Sequence, residues 1–219
     1  DAIYIESVQV PRLETPRLWL RPWSAGDVRT YARIVRDPDV MRYMGCGLRY
    51  TAKRAVTSII ALVSDVEPWW KIRHLARHWQ RHGFGEWAVE EKATGQLIGQ
   101  IGLTLHPDWS ADPAKVEIGW LLARHAWGRG FATEGARASL AYAFEQLRLE
   151  RIVSITPVAN VRSQQVMQRI GLATVGKTHW NGCSVVWSAL DRVTWEHNLA
   201  PAGVDVKGVP DLPQSGDGK

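Results

Sequence analysis

Residues 126–136 read AWGRGFATEGA, with Gly128 and Gly130 flanking Arg129 just ahead of a helix-forming run. Residues without a Cβ let the backbone approach a ligand closely. The first turn of a helix also carries N–H groups with no intrahelical acceptor. Together these features suit an anion, above all a phosphate. On its own the segment reads equally well as a simple turn. Two phosphate-binding patterns do not fit it. A Walker A loop needs Gly-Lys-Ser/Thr, which GRGFAT lacks. The dinucleotide fingerprint needs a third glycine where Thr133 stands, although Glu150 lies about 20 residues on, as a ribose-binding acid would.

Other residues have the chemistry of proton transfer. Glu117 interrupts an otherwise apolar strand, KVEIGWLLA (115–123), and alternation puts it on the face opposite Val116, Ile118 and Trp120. It reads as a general base or as an ordinary outward carboxylate. Ser163, in the first turn of a helix, reads as an acid toward a leaving group or as a serine satisfying backbone groups. His179, near a hairpin, has base capacity near neutral pH or is simply exposed. His74, His78 and His82 fall at helical spacing, but Arg73, Arg77 and Arg81 run beside them, so a solvated basic face outweighs a metal site.

These residues need elements to hold them. RLWLRPW (17–23) alternates as a half-buried strand does, and Ser24 with Asp27 reads as a capping box for a helix that follows. Residues 51–82 read as two helices broken near Pro68, with Trp69 and Trp70 either core or lining an acceptor groove. Residues 85–105 read as two strands with a turn at 93–96, and HPDWSADPA as a loop. The glycine motif then leads a helix on which Leu140, Ala143, Phe144 and Leu147 share a face. RIVSITPV (151–158) is a strand, and 160–171 a short helix with Asn160 as N-cap and Gly171 as its stop. Strands at about 172–180 and 183–193 join through Asn181–Gly182, a hairpin signal. This order is α+β, or mixed α/β, and the strand–helix–strand unit at 115–156 should be a right-handed parallel crossover. The organisation read from it is an arm (1–13), one domain (14–199) and a flexible tail (200–219).

Composition narrows the classes. The chain has 219 residues and a net charge of +5, which suits an anionic partner. The basic residues are scattered, which speaks against nucleic acid. No apolar run is long enough to span a bilayer. The start lacks the features of a signal peptide, and Cys46 and Cys183 form no disulfide framework, so a cytoplasmic location is expected.

Taken in order, four segments resemble the GNAT superfamily of acyl-CoA N-acyltransferases, closest to its RimJ/RimL-like branch. They are ETPRLWLRPW, GQLIGQIGL, VEIGWLLARHAWGRGFATEGA and NVRSQQVMQRIGL, and the resemblance covers about residues 14–198. It implies a single domain around a mostly antiparallel, partly splayed seven-stranded sheet flanked by helices. It implies acetyl-CoA as co-substrate, no metal, and an amine acceptor, either a protein N-terminus or a small molecule such as an antibiotic or polyamine. A non-catalytic CoA-sensing module is the alternative, and a homodimer is left open. By resemblance, Gly128, Arg129, Gly130, Phe131, Ala132 and Thr133 line the CoA pyrophosphate. Trp127 stands where the wider superfamily has Gln or Arg and this branch often has Trp. Trp120, Leu121 and Leu122 lie along the pantetheine and hold the acyl carbonyl, with the oxyanion donor near Leu121 or Leu122. Asn160 touches the pantetheine arm, Ser163 is the acid, and His179 falls roughly where RimL-like enzymes carry a glutamate. Direct transfer is expected, since neither cysteine falls on a motif for an acyl carrier.

Overall fold

The computed structural model describes residues 10–44, 77–198 and, for the backbone alone, 205–207. Most of the insert read as two helices lies outside them, with Trp69, Trp70 and His74. Chain order begins with β1 (Arg12–Glu14), β2 (Leu18–Arg21), α1 (Asp27–Arg36) and α2 (Pro38–Met41). A helical stretch over residues 77–82, here α3, leads into β3 (Glu86–Glu91), β4 (Gln96–Leu105) and β5 (Val116–Leu122). A 3-10 turn at Arg124–Ala126 precedes α4 (Phe131–Ala141), which runs on into a π turn (Tyr142–Gln146). β6 (Arg151–Pro157), α5 (Val161–Arg169), β7 (Ala173–Trp180), β8 (Cys183–Asp191), α6 (Arg192–Asn198) and β9 (Asp205–Lys207) complete the order.

All the strands join one sheet in the order β7-β8-β6-β5-β4-β3-β2-β1-β9. It has nine strands where seven were expected. β1 was read as part of the arm and β9 as part of the flexible tail. Each is three residues long, too short to carry a period-2 signal. β1 exists because Thr15 turns the chain: Leu18 N donates to Thr15 Oγ1 at 2.9 Å, and Thr15 N donates to Leu18 O at 3.1 Å. That turn lays β1 antiparallel on β2, and β9 then pairs with β1.

The main core lies between one sheet face and α4, where Leu13, Leu20, Trp87, Ile101, Phe131 and Phe144 are buried. A second cluster packs Tyr31, Ile34 and Val40, from α1 and α2, against Leu97 and Leu121 on the other face. Only half of the Ser24–Asp27 box forms: Ser24 N donates to Asp27 Oδ2 at 2.8 Å, but the Ser24 hydroxyl donates to the same carboxylate at 2.9 Å, and the N-cap of α1 is Gly26, with no side-chain cap bond. Arg21 clamps the same carboxylate with two bonds of 2.8 Å and reaches Glu90 at 2.7 Å.

β5 and β6 are the parallel pair, linked through α4, and they share a single register pair, Glu117↔Val153. Beyond it the two central strands part, leaving the splay that holds the site. Cys183 is disulfide-bonded. This goes against the expectation that the two cysteines form no disulfide framework, which was read from their number and spacing alone. Among the described residues no helix is long and apolar enough to cross a membrane.

Candidate active site

A cleft of about 2070 Å³ opens along the splay, from the glycine loop at one end to Glu117 and Trp180 at the other. The loop is set by Trp127, whose indole N–H donates to Leu122 O at 2.8 Å and ties the turn to the end of β5. Gly128 (φ +72°) and Gly130 (φ +81°) both take left-handed backbone, and Gly130 is the N-cap of α4. Glu134 N bonds back to Gly130 O at 3.0 Å, which leaves the N–H groups of Phe131, Ala132 and Thr133 as the helix's unpaired first turn. A Cβ on Gly128 would meet nothing within 4 Å. The loop faces open space and shows an anion several amides with no side chain between.

Arg129 was expected to supply the loop's positive charge. Instead its side chain turns away to pair with Glu91 on β3 and lies over the Phe131 ring. It does not line the cleft. Arg17, from the turn before β2, takes that place. It donates to Arg129 O at 2.9 Å and grips Glu134 at 2.6 Å. Its Nη2 lies 3.3 Å from where a Cβ of Gly130 would stand. Arg137, Arg162 and Arg169 also line this end. These four arginines come from three distant segments, so no local pattern could gather them.

The ladder between β4 and β5 decides which amides of β5 are available. Ala123 N donates to Ile98 O at 2.8 Å, and His106 N to Lys115 O at 2.8 Å. The register between them is continuous. In an antiparallel pair the bonded positions alternate. Odd-numbered residues from 115 to 123 therefore spend their N–H on β4, and even-numbered residues turn theirs toward β6. Leu121 N–H is engaged with Gln100, while those of Trp120 and Leu122 point into the gap where β6 has parted. Of the two expected donors, Leu122 is open to the cleft and Leu121 is not, and Trp120 joins it.

Asn160 caps α5, accepting from Ser163 N at 3.3 Å and donating to Thr156 Oγ1 at 3.0 Å. Asn160 and Ser163 both line the cleft. His179 does not. β7 alternates, so His179 is exposed on the face opposite Trp180, and Ser184 Oγ lies 3.4 Å from its Nδ1. Its expected place at the site is not found.

Glu117 does face the cleft, but it is no simple outward carboxylate. Its Oε1 accepts Ile155 N at 3.0 Å and its Oε2 meets His106 Nε2 at 2.7 Å. The edge of the Trp180 indole closes on His106, with ring centroids 5.0 Å apart. Burial disfavours the charged ring, but Glu117's hydrogen bond and charge, aided by the charges of Asp108 and Glu86, hold the His106 pKa above its ordinary value. His106 escaped the sequence reading because HPDWSADPA reads as loop, whereas β4 and β5 carry the ladder past it. His78 is also occupied: Leu105 N donates to its Nε2 at 3.2 Å, and its Nδ1 bonds Phe84 O at 2.8 Å. Among the described residues no cluster of metal-ligating side chains occurs.

Residues 17–173 match the family model described as Acetyltransferase (GNAT) domain. The chain is 31% identical over 162 residues to the uncharacterized protein YkkB of Bacillus subtilis, covering 74% of this chain and 84% of YkkB. It is 30% identical over 170 residues to the FsC-acetyl coenzyme A-N(2)-transacetylase of Aspergillus fumigatus, covering 75% and 66%. A solved acetyltransferase from Agrobacterium tumefaciens superposes with a TM-score of 0.66 at 28% identity, covering 84% of this chain and 96% of that one. The chain belongs to the GNAT acetyltransferase family. It is an acetyl-CoA-dependent N-acetyltransferase, moving an acetyl group from acetyl-CoA to an amine. The residues present fit that co-substrate: a glycine loop with open amides suits the pyrophosphate, and a splay with two open N–H groups suits the thioester carbonyl.

Proposed function

We propose that the protein acetylates a primary amine by direct attack within a ternary complex, and that the acceptor is a protein N-terminal α-amine. The carrying observation is the splay itself. The open N–H groups of Trp120 and Leu122 face a gap whose lining includes Glu117, His106 and Ser163. Bound acetyl-CoA supplies an activated acetyl carbonyl. Residues 128–133 would hold its pyrophosphate, and Asn160 lies where the pantetheine arm would pass. One of the N–H groups of Trp120 and Leu122, which lie about 6.6 Å apart along the strand, would donate to the carbonyl oxygen as it gains charge, a contribution of about 3–4 kcal/mol for a well-placed donor. Ser163 would hydrogen-bond the departing sulfur. Cys183, held in a disulfide, offers no thiol for a covalent acyl carrier, which supports direct transfer.

The reading of an α-amine rests on ionisation. With a pKa near 8, an α-amine is roughly a tenth neutral at pH 7, whereas a lysine near 10.4 is neutral below roughly one part in a thousand. Acetylation of a small-molecule amine is a second reading. Thiol release should be followed with acetyl-CoA and a panel of N-terminal peptides, N-blocked lysine peptides and polyamines. The expected order puts free N-terminal peptides first. Preference for polyamines would establish the second reading. CoA binding with no thiol release from any amine would replace both with a CoA-sensing module.

A further inference from the structure

We propose that His106 is the proton acceptor of the acetyl transfer and that Glu117 is a positioning residue that holds its ring. This rests on the acetyltransferase reading and deepens it. Glu117 has both carboxylate oxygens engaged, Oε1 by Ile155 N–H and Oε2 by His106 Nε2. A carboxylate tied to the backbone of β6 and to an imidazole is placed to orient the ring, not to collect a proton of its own. The His106 side chain is 24% exposed and lines the cleft, so it is reachable. Three elements fix it. His106 directly follows β4 and its N–H bonds Lys115 O, β5 supplies Glu117, and Trp180 of β7 makes a T-shaped contact with the ring.

The approach to that ring is kept clear. Gly119 lies two residues beyond Glu117 on the same strand, hence on the same face. Its backbone needs no glycine, since its φ is not in the left-handed region, and a Cβ there would meet nothing within 4 Å. Neither strain nor packing accounts for it. The missing side chain leaves room along the cleft beside Glu117.

With Nε2–H donated to Glu117, the lone pair of Nδ1 takes the proton. As the amine nitrogen bonds to the acetyl carbon, its N–H proton passes to His106 Nδ1. The carbon–sulfur bond breaks, the electron pair leaves with sulfur, and the imidazolium gives its proton to solvent while the thiolate regains one. An amine and a thioester become an amide and a thiol, with no further reactant. The imidazolium forms against a carboxylate, which stabilises it. Among the described residues the charged groups acting on His106 are Glu117 from β5, Asp108 from the following loop and Glu86 from β3, and all three favour the protonated ring. The ring must be neutral to accept a proton, so the rate should rise with pH through a value above the ordinary histidine pKa of about 6.5.

The test is a pH–rate series on wild type, His106→Gln, His106→Ala and Glu117→Gln, with an amine shown to release thiol from the wild-type enzyme. Failure of that first step would sink the acetyltransferase reading and is separate from the test of His106. CoA affinity and melting temperature serve as controls for the fold. Both His106 variants should lose about 10²–10⁴-fold in kcat with little change in CoA affinity, the range for a general base. Their loss should shrink with an amine of low pKa. Glu117→Gln should lose less and move the acid limb to lower pH, because burial then acts on the ring with less opposing charge. Retained activity in His106→Gln, whose amide can still bond Glu117, would show a structural role and overturn the proposal. So would a Glu117→Gln variant that loses the acid limb altogether, since the carboxylate would then be the base.

Discussion

Arg17 and Arg129 meet the glycine loop from different sides, and they should answer differently to substitution. Arg129 is committed to Glu91 and is 46% exposed, so its charge is screened and directed away from the cleft. Arg17 reaches Glu134 and the backbone of the loop itself. Arg17→Ala would remove a cation from the anion site and leave the Glu134 carboxylate beside it without its charged partner, held only by Thr15 Oγ1 and the backbone N–H of residue 17. By titration calorimetry the affinity for CoA should fall at least tenfold, about 1.4 kcal/mol. Arg129→Ala should cost less than about threefold, within the range of an exposed pair. The reverse order would mean that Arg129 swings into the cleft. At this scale the sequence showed local roles and not distant ones. The glycine positions, the Asn160 cap and the placing of Glu117 were legible because each depends on near neighbours. Arg17, 112 residues from the loop oxygen it binds, was not. His179 was misplaced because one step along a strand reverses the face.

At the level of elements, α1 is anchored by one buried carboxylate. Asp27 is 5% exposed and takes two bonds from Arg21 and two from Ser24. Burial works against its charge, but these bonds prevail and lower its pKa below the ordinary value. A carboxylate lowered on folding adds stability above its unfolded pKa, near 3.9, and that stability is lost as the pH falls through the folded value. Asp27→Asn leaves Arg21 with Glu90 alone and should cost about 3 kcal/mol at pH 7 in urea unfolding. The gap to wild type should hold down to about pH 4 and close only below it. A constant gap at all pH values would mean that packing, not charge, fixes the helix. The longer elements were legible because both periods were strong. β4 carries Leu97, Ile98, Ile101, Leu103 and Leu105 within its ten residues, and the β7–β8 hairpin turns at Asn181–Gly182, both with positive φ. β1 and β9 were not legible, because three residues in a sheet draw their identity from the partner strand.

For the whole molecule, the far edge of the sheet is closed by a segment from the other end of the chain. β9 pairs with β1 through Arg12↔Lys207, Leu13↔Val206 and Glu14↔Asp205. Ending the chain at residue 204 would bare the hydrogen-bonding edge of β1. Stability should drop by about 1–3 kcal/mol, counting a few backbone bonds at their net worth. CoA affinity should weaken as well, because Glu14, which pairs with Asp205, lines the cleft, and Arg17, in the turn that follows β1, supports the glycine loop. An exposed edge also invites strand addition, so light scattering on heating should show earlier self-association in the shortened protein. Equal melting and equal scattering would show that β9 contributes nothing. The splay was implied by family resemblance and not by any local pattern, since where two strands stop pairing is a property of the assembled sheet.

That parting has a consequence for the protein before any substrate arrives. The amides of Trp120 and Leu122 sit in a central strand, where neighbours such as Leu121 and Ala123 are locked in the ladder. They should nevertheless trade their hydrogens for deuterium as quickly as a surface loop does. The middle of β5 would then show alternate slow and fast amides, a pattern normally confined to sheet edges. Occupation of the cleft should slow the two fast positions and leave the slow ones as they were, so the strand would report its ligand one residue in two.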